Sequence, residues 1–335
     1  MAPARVLVRF PNWLGDVLMA RPALHAMRAA WPAARFLGVG PVPLLALPAS
    51  EGLLEESVGW PKDASGRRAA MARVRAWSPE TAVVLPASFS SAWLAWHSGA
   101  RVRAGFRAEW RSALLTHAPA RSRRGDRHQS DEFLDLVGLL GVREVSVPVL
   151  APATAAVVAA RAALAEVGVL EHEPYAILGP RSAYGPAREW FGERFVAAGQ
   201  GLAARGLRIV VCGTSAEAAA CTTVATGVGP AAVSLAGRTD LPALTALAAG
   251  ARLALCNDSG LAHLAAATGA PTLQIYGSAS SGWTAARGPR VRVLHRAPVC
   301  SPCWRRTCRI GTRCLDAVGV AWVLREADRL LAEAA

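Results

Sequence analysis

Lysine is almost absent from this chain. Lys62 is its single lysine, so arginine supplies nearly all of a formal net charge of +13 over 335 residues. No window is fit to cross a membrane: residues 81–100 carry no charge but contain Pro86, four serines, His97 and Gly99. The start, Met1-Ala-Pro-Ala-Arg5, leads into a short apolar run without the long h-region and small-residue cleavage site of a signal peptide, which points to a cytoplasmic protein. Also missing is Gly-x-Gly-x-x-Gly after the first strand. That turn reads Phe10-Pro-Asn-Trp-Leu-Gly-Asp16, and Gly38-Val-Gly40 runs into Pro41 and Pro43, which argues against a dinucleotide oxidoreductase.

What is present is 53% hydrophobic and 18% charged, too apolar for a disordered chain. The length favours two domains. Residues 6–10 read as a buried strand, 17–31 as one helix, and 35–39 and 81–85 as further strands. Segments 53–58 and 67–77 read as helix or loop between them. After Pro148-Val-Leu-Ala-Pro152 an alanine-rich helix runs to Val167. The alternation then restarts: strands at 175–178, 207–212, 233–235, 253–256 and 272–276, with helices at 188–205, 216–225, 241–249 and 260–268. The expected organisation is α/β, with two Rossmann-like doubly wound domains facing a cleft, at 1–152 and 171–335, joined by a hinge helix at 153–170. Ligands of such sheets bind outside the carboxyl ends of the strands, so function belongs to the loops that follow them.

Asp16 stands at the mouth of the first helix, where it is either a general base facing the cleft or an ordinary acidic helix cap. The matching loop of the second half is Cys256-Asn-Asp-Ser-Gly-Leu-Ala-His263, between a buried strand and a helix start. Unpaired N–H groups there suit a phosphate, Ser259 and Gly260 permit close approach, and Asp258 can accept sugar hydroxyls. His263 is either part of that site or a satisfied core histidine. Pro180-Arg-Ser-Ala-Tyr-Gly-Pro-Ala-Arg188 is a second phosphate-suited loop, with Arg188 placed to neutralise a leaving diphosphate. In Val211-Cys-Gly-Thr-Ser-Ala-Glu217, Glu217 can accept both hydroxyls of a ribose, and helix capping by Thr214 or Ser215 is compatible with that.

Taken together, Arg9-Phe-Pro-Asn-Trp-Leu-Gly-Asp16, Ala183-Tyr-Gly-Pro-Ala-Arg-Glu-Trp190, Leu235-Ala-Gly237 and Asn257-Asp-Ser-Gly-Leu-Ala-His263 resemble glycosyltransferase family 9, the bacterial ADP-heptose:lipopolysaccharide heptosyltransferases, and the heptosyltransferase II branch in particular. The resemblance spans nearly the whole chain. It implies a GT-B type fold, a lipid-linked acceptor on the N-terminal domain, a nucleotide sugar on the C-terminal one, and inversion at the anomeric carbon. Asp16 would then be the general base and Arg188 the diphosphate contact, although many relatives carry lysine at the latter position. Donor binding would fall to Ser182, Glu217, Ala236, Gly237, Asp258, Ser259, Gly260 and His263, and acceptor binding to Asn12, Trp13, Arg101, Arg103 and Arg107. Hinge closure would bring Asp16 toward Asp258 and expel water. Neither half contains Asp-x-Asp, so no catalytic cofactor is expected: arginine and helix N–H groups would take the role of a metal at the diphosphate.

Cys300, Cys303, Cys308 and Cys314 form C-x2-C-x4-C-x5-C, a spacing suited to structural zinc or an iron–sulfur site. Redox-labile thiols and a plain reduced loop are the alternatives. Cys212, Cys221 and Cys256 read as small core residues. The arginines crowded between 101 and 127 suit a polyanion. In the absence of a nucleic-acid motif they fit phosphorylated lipopolysaccharide core at the cytoplasmic face of the inner membrane, with Trp93 and Trp96 as interfacial contacts. A family 9 enzyme using another donor and a non-enzymatic polyanion-binding module are the competing functions.

Overall fold

The computed structural model describes residues 2–108 and 110–333. The chain divides into two compact units, Met1–Pro148 and Val149–Ala335. The first is built on a five-stranded parallel sheet of β1 (Arg5–Arg9), β2 (Arg35–Gly40), β3 (Glu56–Gly59), β4 (Thr81–Val84) and β5 (Val102–Gly105), in the order β3-β2-β1-β4-β5. Alternate residues of β1 enter opposite faces, as the pleat requires. Val6, Val8 and Phe10 pack with Leu24, Met27 and Phe133, whereas Leu7 packs with Val39, Val58 and Val74. With both faces covered, β1 and β4 read as continuous apolar runs rather than alternating ones.

The single helix expected over 17–31 is two helices, Leu14–Met19 and Arg21–Ala30. Pro22 lacks the N–H that would continue the first helix and suits the opening turn of the second, so the chain restarts at Ala20. Residues 53–58 lead into β3, whose sequence Glu-Ser-Val-Gly buries only Val58 and so lacks the apolar run that marks β1 and β4. The uncharged window 81–100 is β4, a turn and the helix Phe89–His97. Among the described residues no helix is long and apolar enough to cross a membrane.

The second unit carries β6 (Tyr175–Gly179), β7 (Arg208–Val211), β8 (Ala232–Ser234), β9 (Leu253–Asn257), β10 (Thr272–Ile275) and β11 (Val291–Leu294). They form a parallel sheet in the order β11-β10-β9-β6-β7-β8. The helix Thr154–Glu166 packs against Leu241–Gly250 within this unit. Sequence reading missed β11 and the closing helix Val320–Glu333, which buries Val323, Ala327 and Leu330 at helical spacing. The helix expected over 188–205 begins only at Gly192. Arg188 instead closes the short 3-10 turn Pro186–Arg188, entered through Gly185 at φ +140°, a conformation that suits glycine.

Candidate active site

A doubly wound sheet opens a crevice where its strand order reverses, at the carboxyl ends of the two strands flanking the reversal. In the first unit those strands are β1 and β4, and in the second they are β6 and β9. Asn12, Trp13 and Asp16 follow β1, Ser182 and Arg188 follow β6, and Asp258, Ser259, Gly260 and His263 follow β9.

In the first unit, Arg9 ends β1 buried beneath its loop. Its guanidinium donates to the Phe10 carbonyl, to Val39 O at 3.3 Å and to Asn12 Oδ1 at 3.2 Å. Burial, assisted by the charge of Arg67, lowers its pKa to about 10, so the group remains cationic at neutral pH. Asp16 is half-buried in the first turn of the helix that follows and accepts a hydrogen bond from Gln129 Nε2 at 3.1 Å. Gln129 opens the helix Gln129–Gly138, whose first turn is capped by His128. Sequence reading missed it, because 113 residues separate it from Asp16 and nothing local marks the contact. Asn12 and Trp13 are exposed beside Asp16 in the chain.

The loop after β4 is held by Arg111, fully buried, which donates to Pro86 O at 2.6 Å and Ser88 O at 2.8 Å. Arg101 and Arg107 are exposed. Arg103 instead donates to Leu114 O at 2.7 Å and Ala100 O at 2.6 Å, which ties its guanidinium to backbone carbonyls.

The second unit is more densely bonded. Asn257, the last residue of β9, is fully buried and joins both switch loops. It donates to Pro180 O at 2.7 Å and accepts from Trp190 N at 2.9 Å. Ser182 Oγ donates to Asp258 O at 3.0 Å, and Ser182 N donates to Glu189 Oε1 at 2.9 Å. Across this frame Arg188 Nη1 meets Asp258 Oδ2 at 2.9 Å, with the Asp258 side chain only 3% exposed. Arg188 also lies over the Tyr184 ring, its guanidinium carbon 3.8 Å from the centroid. Buried Tyr276 lines the same corner; burial and the Asp258 charge hold its phenol well above its ordinary pKa.

Ser259 precedes the helix Gly260–Ala267, and its buried Oγ makes no hydrogen bond among the described residues. The hydroxyl therefore lies at the N–H end of the helix, where an anion is favoured. His263 is buried one turn on. Farther along the sheet, Gly237 N donates to Gly213 O at 3.0 Å, which brings the turns after β7 and β8 together. Gly237 has φ +75°, and a Cβ there would lie 2.7 Å from Ser215 Cα, so glycine is needed for the approach. Ala236 is buried beside it. Glu217 closes a capping box, accepting from Thr214 N at 2.7 Å and Thr214 Oγ1 at 2.9 Å, both on Oε2.

Among the described residues no group of three or more His, Cys, Asp or Glu is placed to hold a metal ion. Cys300 is exposed, while Cys314 is buried on the short helix Arg313–Asp316. Cys308 Sγ accepts from Thr312 N at 3.2 Å and Ile310 N at 3.5 Å, and these amides lower its pKa. Cys212, Cys221 and Cys256 are buried, and burial raises all three thiols.

Two parallel doubly wound sheets, the second with the Arg188–Asp258 pair tied at its switch point, define a two-domain Rossmann-like protein of GT-B type. The model of glycosyltransferase family 9 (heptosyltransferase) matches residues 67–313. The chain belongs to this family and is a glycosyltransferase. It is 25% identical to lipopolysaccharide heptosyltransferase 2 of Salmonella typhimurium over 304 residues, 87% of each chain. In fold it is similar to the E. coli ADP-heptose lipopolysaccharide heptosyltransferase II (TM-score 0.84, 23% identity, 98% of this chain and 99% of that one). It is equally similar to a family 9 glycosyl transferase from Veillonella parvula (TM-score 0.85, 20% identity, 98% and 97%).

Proposed function

We propose that this chain transfers heptose from ADP-heptose to the inner core of lipopolysaccharide with inversion, a reaction of the heptosyltransferase II type. The observation that carries the reading is the Arg188–Asp258 pair at the second switch point, beside the Ser259 hydroxyl and the Gly260–Ala267 helix start. Glycosyl transfer requires the leaving nucleotide diphosphate to be stabilised as the C1–O bond breaks. It also requires a base to take the acceptor proton on the opposite face of the sugar.

In this mechanism Arg188 and the helix N–H groups hold the diphosphate, and Asp258, Ser259 and Gly260 hold the heptose side of it. Ser182 and His263 support that loop. Glu217 receives the ribose through the carboxylate oxygen that the capping box leaves over, and adenine lies by Ala236 and Gly237. Asp16 is the general base, kept in place by Gln129. Asn12, Trp13, Arg101 and Arg107 meet the phosphorylated acceptor, while Arg103 shapes the loop behind them. Trp93 and Trp96, exposed on the helix Phe89–His97, suit an interfacial position at the cytoplasmic face of the inner membrane.

A donor panel tests this reading. ADP-heptose should raise the unfolding temperature of the purified protein and UDP-sugars should not. The transferred sugar should carry the inverted anomeric configuration. Stabilisation by a UDP-sugar in preference to ADP-heptose would assign a different donor.

A further inference from the structure

The diphosphate corner has a charge deficit. Arg188 is matched by Asp258 at 2.9 Å, and Arg181 by Glu189 at 2.7 Å. The turn after β6 thus offers two neutralised pairs to a multiply charged anion, and the buried Asp258 carboxylate repels that anion at close range. An effective site needs a cation with no carboxylate of its own.

Arg306 meets that need. It is exposed on the cysteine-rich segment, and among the described residues no carboxylate pairs with it. Its guanidinium carbon is 5.5 Å from the centroid of the Tyr184 ring, the ring that Arg188 covers at 3.8 Å. Two arginines therefore gather at one aromatic ring, with one of them uncompensated.

The backbone fixes this arrangement. Ala187 N donates to Arg306 O at 3.0 Å, and Tyr184 OH donates to Trp304 O at 2.5 Å. Gly185 lets the strands of chain close up, since a Cβ there would lie 2.8 Å from Arg306 O. The segment is anchored again where Cys303 N and Trp304 N donate to Ser278 O at 3.0 Å and 2.9 Å. It is thus tied to the turn that ends in Arg188, and it carries Arg306 there.

We propose that Arg306 is a second cationic contact for the donor's diphosphate, working beside Arg188 at the Tyr184 ring. The inference rests on the nucleotide-sugar reading above. It also gives the cysteine-rich segment a task at the donor site: delivering a cation to it.

The test titrates the full-length protein with ADP and with adenosine. Arg306→Ala should weaken ADP binding about tenfold and leave adenosine binding unchanged. Arg306→Lys should recover part of the ADP affinity, because it restores charge without the planar fork. Arg306 holds the turn through its carbonyl, and its exposed side chain adds only the contact with the Tyr184 ring, so neither variant should lower the unfolding temperature by more than a few degrees. Undiminished ADP affinity in Arg306→Ala would overturn the inference, as would equal losses for ADP and adenosine. The functional reading fails separately: a wild-type chain that binds ADP through Arg306 but transfers no heptose defeats that reading and keeps this one.

Discussion

At the first switch point Asp16 is half-buried, is held by Gln129 from a distant helix, and has exposed Asn12 and Trp13 beside it. At the second, Asp258 is almost fully buried, salt-bridged to Arg188 and locked through Ser182, while Asn257 binds both loops to one another. The two units share a sheet plan, yet one presents a half-buried carboxylate with exposed neighbours and the other a pre-tied corner. The contrast fits their proposed tasks. A fixed nucleotide rewards preorganised dipoles, which need no rearrangement as charge develops. A large phosphorylated glycolipid needs an open approach to a single base.

Substitutions in each region can break this comparison. Asp16→Asn removes the base without changing shape, and transfer should fall by about 10²–10⁴-fold in a single-turnover assay. Retained transfer would place the base elsewhere. Asn257→Ala should act on both stability and donor binding. It leaves Trp190 N and Pro180 O without partners in a buried site, a cost of about 1–3 kcal/mol in denaturant unfolding, together with weakened ADP binding. Unchanged ADP affinity would show that the two loops hold their places without it.

The smallest effect comes from a carboxylate remote from both switch points. Asp328 is held below its ordinary pKa of 3.8 by hydrogen bonds and charge from Arg205. A carboxyl depressed in the folded state adds stability that is present above its unfolded pKa and lost as pH falls through the folded value. The pair is largely solvent-exposed, so Asp328→Asn should cost less than about 1 kcal/mol at neutral pH, with the deficit vanishing in strong acid. Transfer should be unaffected, which separates the loss of any carboxylate from the loss of Asp16.

Much of this was legible in the sequence, because β1, β4, β6 and β9 are apolar runs followed by loops rich in Gly, Pro and Asp. Runs of that kind mark buried parallel strands, and their carboxyl ends mark the site. The long-range contacts were illegible. Asn257 reads as a loop residue just after a strand, and only its bonds to Pro180 and Trp190, 77 and 67 residues away, make it a keystone. Arg188 was placed at a helix start because local pattern does not reveal that Trp190 N bonds to Asn257 and holds the chain extended. Pro22 was a visible signal of the helix break at Ala20. The cysteine spacing is a strong local pattern, but spacing alone does not reveal that Cys300 is exposed while Cys314 is buried.

The division of labour between the units is tested most directly by ADP affinity, measured by calorimetry for Asp16→Asn and Arg188→Ala in parallel. Asp16→Asn should bind ADP as the wild type does, and Arg188→Ala should lose at least about tenfold in affinity. ADP binding that weakens with Asp16 and survives the loss of Arg188 would contradict the account.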